Sequence, residues 1–255
     1  MRILRFLAAM SLCWAAVPAA HSQTTSPYEI ALPQLAYGGG WETKIVVTNV
    51  STTSQALTIN YYDGTPGATN GNPLMVPFAG VPTAQQNLTI PVNGQMEVVP
   101  DFQGTNTTVG WAGLNYNELG LKIQGVFLWT NGSTAQTQAV APIVSLLSPC
   151  ILGFPNTALI TMPFDETGAS TSAFAFANTM PTPVTMTLNF YDQSGNSLGT
   201  YTPPAIPGFG HTQFGLNAIG VAALAGAKGS MQINGAGVVP LGFKFYGSIF
   251  TTWLP

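Results

Sequence analysis

Leu57-Thr58-Ile59-Asn60-Tyr61-Tyr62-Asp63 recurs as Met186-Thr187-Leu188-Asn189-Phe190-Tyr191-Asp192. In both copies alternate residues form two sets. Leu57, Ile59 and Tyr61 match Met186, Leu188 and Phe190, all large and apolar. Thr58, Asn60 and Tyr62 match Thr187, Asn189 and Tyr191, identical and polar. A period of two marks a strand with one face in a core and the other toward water. The first copy closes with Asp63-Gly64 and the second with Asp192-Gln193-Ser194-Gly195-Asn196, both turn chemistry. The two aspartates are expected to cap those turns.

The repetition extends outward. Asn49 corresponds to Asn178 at the same offset as the signature strands, since 178 − 49 and 186 − 57 are both 129. A shared offset over adjacent strands points to internal duplication. Upstream, Ile30–Leu35 reads as a strand that Pro33 confines to an edge. Gly38-Gly39-Gly40 turns the chain into Trp41 and the alternating run Thr43–Val50. Ile90-Pro91-Val92-Asn93-Gly94 resembles Ile206-Pro207-Gly208-Phe209-Gly210, and each reads as a strand, a tight turn and a returning strand. Thr108–Leu114 with Leu121–Thr130 reads as a hairpin, and its counterpart is Gly229–Ile233 with Val239–Ser248. Asn217–Lys228 departs from strand pattern. Its Ala and Leu favour one or two helical turns, limited by Gly220 and Gly226, as a crossover between sheets.

The fold expected is all-β: two tandem immunoglobulin-like β-sandwich domains from an internal duplication. They span residues 24–148 and 158–255, joined by an apolar junction at 149–157. An apolar junction implies that the domains pack together. The Cys–Trp–Cys hallmark of antibody domains is absent, so the label denotes architecture.

Residues 1–22 read as a secretory signal peptide: Arg2 and Arg5, then the apolar run Phe6–Val17, then Ala20-His21-Ser22 as a small-x-small cleavage site. Removing them leaves four basic residues, Lys44, Lys122, Lys228 and Lys244, against nine acids, so the formal charge of −3 becomes −5. Only 6% of residues are charged, while 46% are hydrophobic. That excludes a basic surface for nucleic acid, and it argues against disorder. No membrane insertion of the mature chain is expected. Cys150 is the one cysteine left, so no disulfide within the mature chain is available.

Leu32-Pro33-Gln34-Leu35-Ala36-x-Gly38-Gly39-Gly40-Trp41, followed by Thr43 and Val47-Thr48-Asn49, resembles the opening of a group of uncharacterised secreted bacterial proteins with tandem immunoglobulin-like repeats. Met162-Pro163-Phe164-Asp165-x-Thr167-Gly168 and Ala175-x-Ala177-Asn178 resemble the other half of that pattern. The resemblance implies secretion and a cell-envelope or extracellular role, and no reaction. The second repeat lacks the triple glycine and the tryptophan.

Candidate chemistry is sparse. Nucleophilic catalysis needs a nucleophile, a base and an orienting group. The mature chain offers one histidine, His211, and Cys150, with no motif around either. A zinc site would need three or four ligands. Asp165-Glu166 is the one adjacent acidic pair, and no calcium-loop pattern surrounds it. No catalytic residue, metal ligand or cofactor is assigned, and the chain is read as non-enzymatic. Exposed aromatics stack on sugar rings and anchor interfaces. Trp41, after three glycines, and Trp111, in Gly110-Trp111-Ala112-Gly113, are therefore the candidate ligand-binding residues; Trp129 falls within a strand. The expected role is adhesion, surface assembly or protein–protein contact with an extracellular protein or glycan. A carbohydrate-binding module using exposed tryptophan is the alternative. An outer-membrane β-barrel ranks lower, for want of long strands with aromatic girdles.

Overall fold

The computed structural model describes residues 28, 30–65, 71–101, 104–116, 120–130, 136–142, 144–145, 160–247 and 249–253. The signal-peptide segment, the 149–157 junction and Cys150 lie outside them. The first half carries β1 (Ile30–Tyr37), β2 (Trp41–Asn49), β3 (Gln55–Asp63), β4 (Val76–Phe78), β5 (Val81–Thr83), β6 (Gln85–Ile90), β7 (Gln95–Val98), β8 (Thr108–Tyr116), β9 (Leu121–Thr130), β10 (Gln136–Pro142) and β11 (Val144–Ser145). The second carries β12 (Ile160–Asp165), β13 (Ser170–Asn178), β14 (Thr187–Asp192), β15 (Ser197–Tyr201), β16 (His211–Gly215), β17 (Lys228–Asn234), β18 (Val238–Tyr246) and β19 (Ile249–Trp253).

The architecture is all-β and antiparallel. In the first half a sheet of order β11-β1-β8-β3-β6 packs on one of order β10-β9-β2-β7. In the second, β12-β17-β14-β15 packs on β16-β13-β18-β19. Strand for strand the two orders coincide once β11 and the small β4–β5 hairpin are set aside. The signature strands lie inside as their period requires. Leu57, Ile59 and Tyr61 enter one core, and Met186, Leu188 and Phe190 enter the other.

Two sequence expectations change. The runs 108–114 and 121–130 are not a hairpin: β8 pairs with β1 and β3, whereas β9 pairs with β2 and β10 in the facing sheet. The Ile90–Gly94 and Ile206–Gly210 turns likewise precede strands of the opposite sheet. A turn flanked by alternating runs has one local signature, whether the chain doubles back within a sheet or crosses between sheets. Only the partners of each strand decide. Compared with an immunoglobulin sandwich, the central pairs β2–β7 and β3–β8 match its second-with-fifth and third-with-sixth strands. The first and last strands exchange sheets, since β1 lies beside β8 and β9 beside β2.

Two polar pins recur at the 129-residue offset. The Asn49 Nδ2 donates to the carbonyls of Thr53 at 2.8 Å, Ile90 at 3.1 Å and Pro91 at 3.0 Å. The Asn178 Nδ2 donates to those of Thr182 at 2.8 Å, Ile206 at 3.2 Å and Pro207 at 2.8 Å. Each asparagine thus ties the end of one strand to a turn about 30–40 residues later, adding a side-chain donor to carbonyls of that turn. The second pin is a hydroxyl. Thr43 Oγ1 donates to the Ala36 carbonyl and accepts from the Ala36 N–H, both at 2.9 Å. Ser172 Oγ does the same for Asp165 at 3.0 and 2.8 Å. These bonds close the unpaired backbone at the ends of β1 and β12. Pro33 falls where the β1–β8 register shifts between Leu32 and Leu35, so its missing N–H costs no ladder bond.

The crossover from β16 to β17 contains two short 3-10 turns, Leu216–Ala218 and Ala222–Leu224. Gly220 and Gly226 both adopt positive φ, +76° and +73°, and stop them from growing. Leu216 and Leu224 face the second core.

The halves share a core. Leu241, Phe243 and Phe250 join the hydrophobic cluster of the first half, so the outer face of the β16-β13-β18-β19 sheet closes that sandwich. That face presents Ala173, Ala175 and Ala177. The equivalent positions of β2 are Lys44, Val46 and Thr48, where the face meets solvent. Small apolar residues replace charged and branched ones where a second sheet must approach.

Candidate functional site

The seam between the halves gathers most of the residues singled out above. Trp111 sits on β8, opposite Tyr62 of β3. Its ring is fully buried, at 0% exposure. It stacks on Tyr62 at 4.7 Å between centroids, and Tyr62 stacks on Phe209 at 5.4 Å. Tyr28 meets Trp111 edge-on at 5.7 Å and shares a hydrogen bond between hydroxyls with Tyr62. The Trp111 Nε1–H donates to the Phe209 carbonyl at 2.8 Å. The expectation that Trp111 is an open stacking platform is therefore corrected: both its ring and its one donor are spent within the seam. The Phe209 turn has the same form as its counterpart, with Gly210 N–H donating to the Pro207 carbonyl as Gly94 donates to that of Pro91, both at 2.9 Å. At the third turn position the counterpart holds Asn93 at φ +54°, an ordinary residue for that conformation, whereas Phe209 holds φ +53°. A bulky residue in that region costs about 1–3 kcal/mol, offset here by the stack that it completes.

Trp41 takes a different position. Gly38, Gly39 and Gly40 all have positive φ (+78°, +57° and +91°), and a side chain on Gly40 would run into the Thr130 carbonyl. The tight turn sets Trp41, half-buried, against Trp129 and Phe250 at 6.0 and 5.2 Å. One edge of its ring borders a cleft of about 360 Å³ between the halves. Phe127, Phe243 and Phe245 form further walls, and Gln34, Gln213 and Thr107 supply the polar groups. Among the described residues no charged one borders it. Size, position between sheets and mixed lining are those of ligand pockets in general. The sequence points to Trp41 but not to the cleft, because its walls come from three sheets.

His211 lies one row deeper in the seam. Its Nε2 contacts Gln34 Oε1 of the first half at 2.9 Å, and its Nδ1 is buried against Gly64 without a hydrogen-bond partner. Burial pushes its pKa down to about 4, against smaller opposing pulls from the Gly64 and Pro33 backbone and the Asp63 charge. The ring is therefore neutral in the folded state at neutral pH, while an unfolded histidine titrates near 6.5. Between those values the unfolded chain binds more protons, so stability is full above about pH 6.5 and is lost as pH falls toward 4. Urea midpoints measured at pH 7 and pH 5 are expected to drop more for the wild type than for His211→Gln, with the remaining carboxylates common to both. Equal drops would refute this role for His211.

The acidic candidates behave structurally. Asp63 Oδ1 accepts from the Thr65 N–H and hydroxyl, and Asp192 Oδ1 accepts from the Ser194 and Asn196 N–H groups, the Asx capping expected of them. Burial raises the Asp165 carboxyl, but the bonds from Lys244 and Thr167 outweigh it and hold the pKa at about 2. Lys244 Nζ donates to Asp165 Oδ2 at 2.6 Å, placing an ammonium where a calcium ion would need that oxygen. Glu166 Oε1 accepts from the Ser172 N–H at 2.6 Å. Among the described residues no group of three His, Cys, Asp or Glu side chains could hold a metal. Cys150 lies outside those residues. No described helix is long and apolar enough to cross a membrane.

Comparison with known protein families finds no matching family model, and no curated protein matches. Among solved structures the chain is similar to an enterococcal surface protein, partial N-terminal region, at 6% identity, over 93% of this chain and 97% of that one, with a TM-score of 0.21.

Proposed function

We propose that this is a secreted, non-enzymatic contact protein, built from two duplicated immunoglobulin-like sandwiches and acting in adhesion, surface assembly or protein–protein contact. One observation carries the reading. The outward face of the β12-β17-β14-β15 sheet sets Thr161, Gln232, Asn189 and Thr200 side by side across four strands. The first half repeats the pattern with Thr58 beside Asn87 and Asn60 beside Gln85, each pair hydrogen-bonded, at 2.9 and 2.7 Å. These rows hold amides and hydroxyls and no charge. Adjacent strands lie about 4.8 Å apart, so each row is a regular ladder of donors and acceptors. A single such bond contributes only about 0.5–1.5 kcal/mol net. A partner that repeats its own polar groups, a polysaccharide or another sheet, gains from the whole row. Without charge, contact gains no electrostatic steering and pays no ion desolvation. Secretion, the duplication and the contact role all belong to this proposal. Its supports are the signal-peptide pattern, the shared strand order with its two pins, and the polar rows.

The test uses the chain from Gln23 onward and a doubly substituted chain carrying Asn189→Lys and Gln232→Lys. Both are applied to insoluble neutral polysaccharides and a glycan array, and both are cross-linked on the intact surface of the producing cells. Retention or cross-linking by the wild type, lost in a variant with an unchanged melting temperature, is expected. Equal behaviour of the two chains would remove the outer face from the mechanism. The glycan alternative now rests on Trp41, since Trp111 is enclosed.

A further inference from the structure

We propose that the cleft between the halves binds an uncharged small molecule that combines an aromatic or acyl body with a hydrogen-bond acceptor. This goes beyond the outer-face reading and uses none of its residues. The decisive group is Gln34. It is only 6% exposed, yet it borders the cleft. Its Oε1 faces His211 Nε2, which fixes the amide plane. The Oε1 contact makes Nε2 the protonated ring nitrogen and leaves the Gln34 amide N–H groups for another acceptor. No protein acceptor meets them among the described residues. The amide nitrogen is not sealed from solvent; it opens on the cleft, where a ligand oxygen can take the place of water as its acceptor.

The rest of the cleft states what arrives. Trp41, Phe127, Phe243 and Phe245 offer broad apolar walls, and Ala36 and Ala173 keep the space between them open. Alanine at 173 faces Phe243 across the β13–β18 pair, so a larger side chain there would fill the space. Gln213 and Thr107, both exposed, stand at the rim. Among the described residues nothing in the lining would neutralise a carboxylate, a phosphate or an ammonium. Burying an ion here would leave it unpaired, so the site discriminates by charge. A carbonyl, ester, amide or ether oxygen reaching Gln34, with an apolar body between the aromatic walls, satisfies every group present.

The probe is prodan, a neutral naphthalene bearing a ketone, titrated against the chain from Gln23 onward by its emission shift. An anionic naphthalene sulfonate of similar body is the charge control. Saturable one-to-one binding of prodan is expected, with the sulfonate at least about tenfold weaker. Gln34→Met should weaken prodan about tenfold, the change expected for one hydrogen bond, and Ala173→Phe should abolish binding. The Asn189→Lys, Gln232→Lys chain should bind prodan like the wild type, which separates this site from the outer face. No saturable binding by the folded wild type would overturn the proposal, and so would equal affinity for the sulfonate. Should Ala173→Phe fail to fold, Gln34→Met carries the test, and unchanged affinity in that folded variant overturns it.

Discussion

Asn178→Ala is expected to destabilise the protein by about 3–5 kcal/mol, among the largest effects of any single polar substitution in it. Asn178 is fully buried. Its two N–H hydrogens are shared among three carbonyls, from Thr182, Ile206 and Pro207. Its Oδ1 accepts from the Met180 N–H at 2.9 Å. Alanine removes all of these at once; the Ile206 and Pro207 carbonyls keep the Val184 and Gly210 N–H groups, but the Thr182 carbonyl and the Met180 N–H face a small void, each costing about 1–3 kcal/mol if water cannot enter. The loss also removes one tie on the Pro207–Gly210 turn, which carries Phe209 into the seam. Urea unfolding should show a lower midpoint with an unchanged slope. A loss below about 1 kcal/mol would mean that water replaces the side chain and that the pin is dispensable. Asn49→Ala is the internal control, since Asn49 makes the corresponding bonds and its Oδ1 accepts from the Ser51 N–H and hydroxyl.

Trp111→Ala is the second. Truncating a buried tryptophan costs about 3–5 kcal/mol through lost burial and the cavity that remains. Here the cavity opens between the halves, so the effect should reach beyond magnitude. The wild type shares one core across the seam and is expected to unfold in a single transition. With Trp111 gone, the Phe209 carbonyl loses its donor and the Tyr62–Phe209 stack loses its support. Two transitions, one per half, are the expected result by calorimetry. Phe209→Ala combined with Trp111→Ala should show a coupling of about 1–3 kcal/mol, as for residues in direct contact. Additive effects would mean that the two residues stabilise the seam independently, against the geometry of a shared stack and hydrogen bond.

Much of this architecture is local, and local features are legible in sequence. Alternation in Leu57–Asp63 and Met186–Asp192 identified the strands and their buried faces, because a pleat sends neighbours to opposite sides whatever else surrounds it. Turn aspartates declared their caps, and Gly220 with Gly226 bounded the 3-10 crossover, for the same reason. Asn49 and Asn178 were found as equivalents by offset, but not as pins, since their acceptors lie up to 42 residues away. Thr43 and Ser172 stand at the same offset, and a hydroxyl at both positions is the signal that the sequence carries for the second pin.

Sheet membership, the fate of Trp111 and the cleft were decided by tertiary structure alone. Gly110-Trp111-Ala112-Gly113 has the small neighbours of an exposed tryptophan, yet its indole donates to a carbonyl 98 residues away. The same small neighbours let a second layer approach: Tyr28 packs where a side chain on Gly113 would stand. The sequence also carries a signal of the seam. Ala173-Phe174-Ala175-Phe176-Ala177 is apolar on both faces, where Lys44-Ile45-Val46-Val47-Thr48 alternates toward polar. A strand apolar on both faces must be covered on both. The sequence alone determined that β13 is a central layer. Which surface would cover it, and the space left between them, depended on how two distant segments meet, and no periodicity within either segment encodes that.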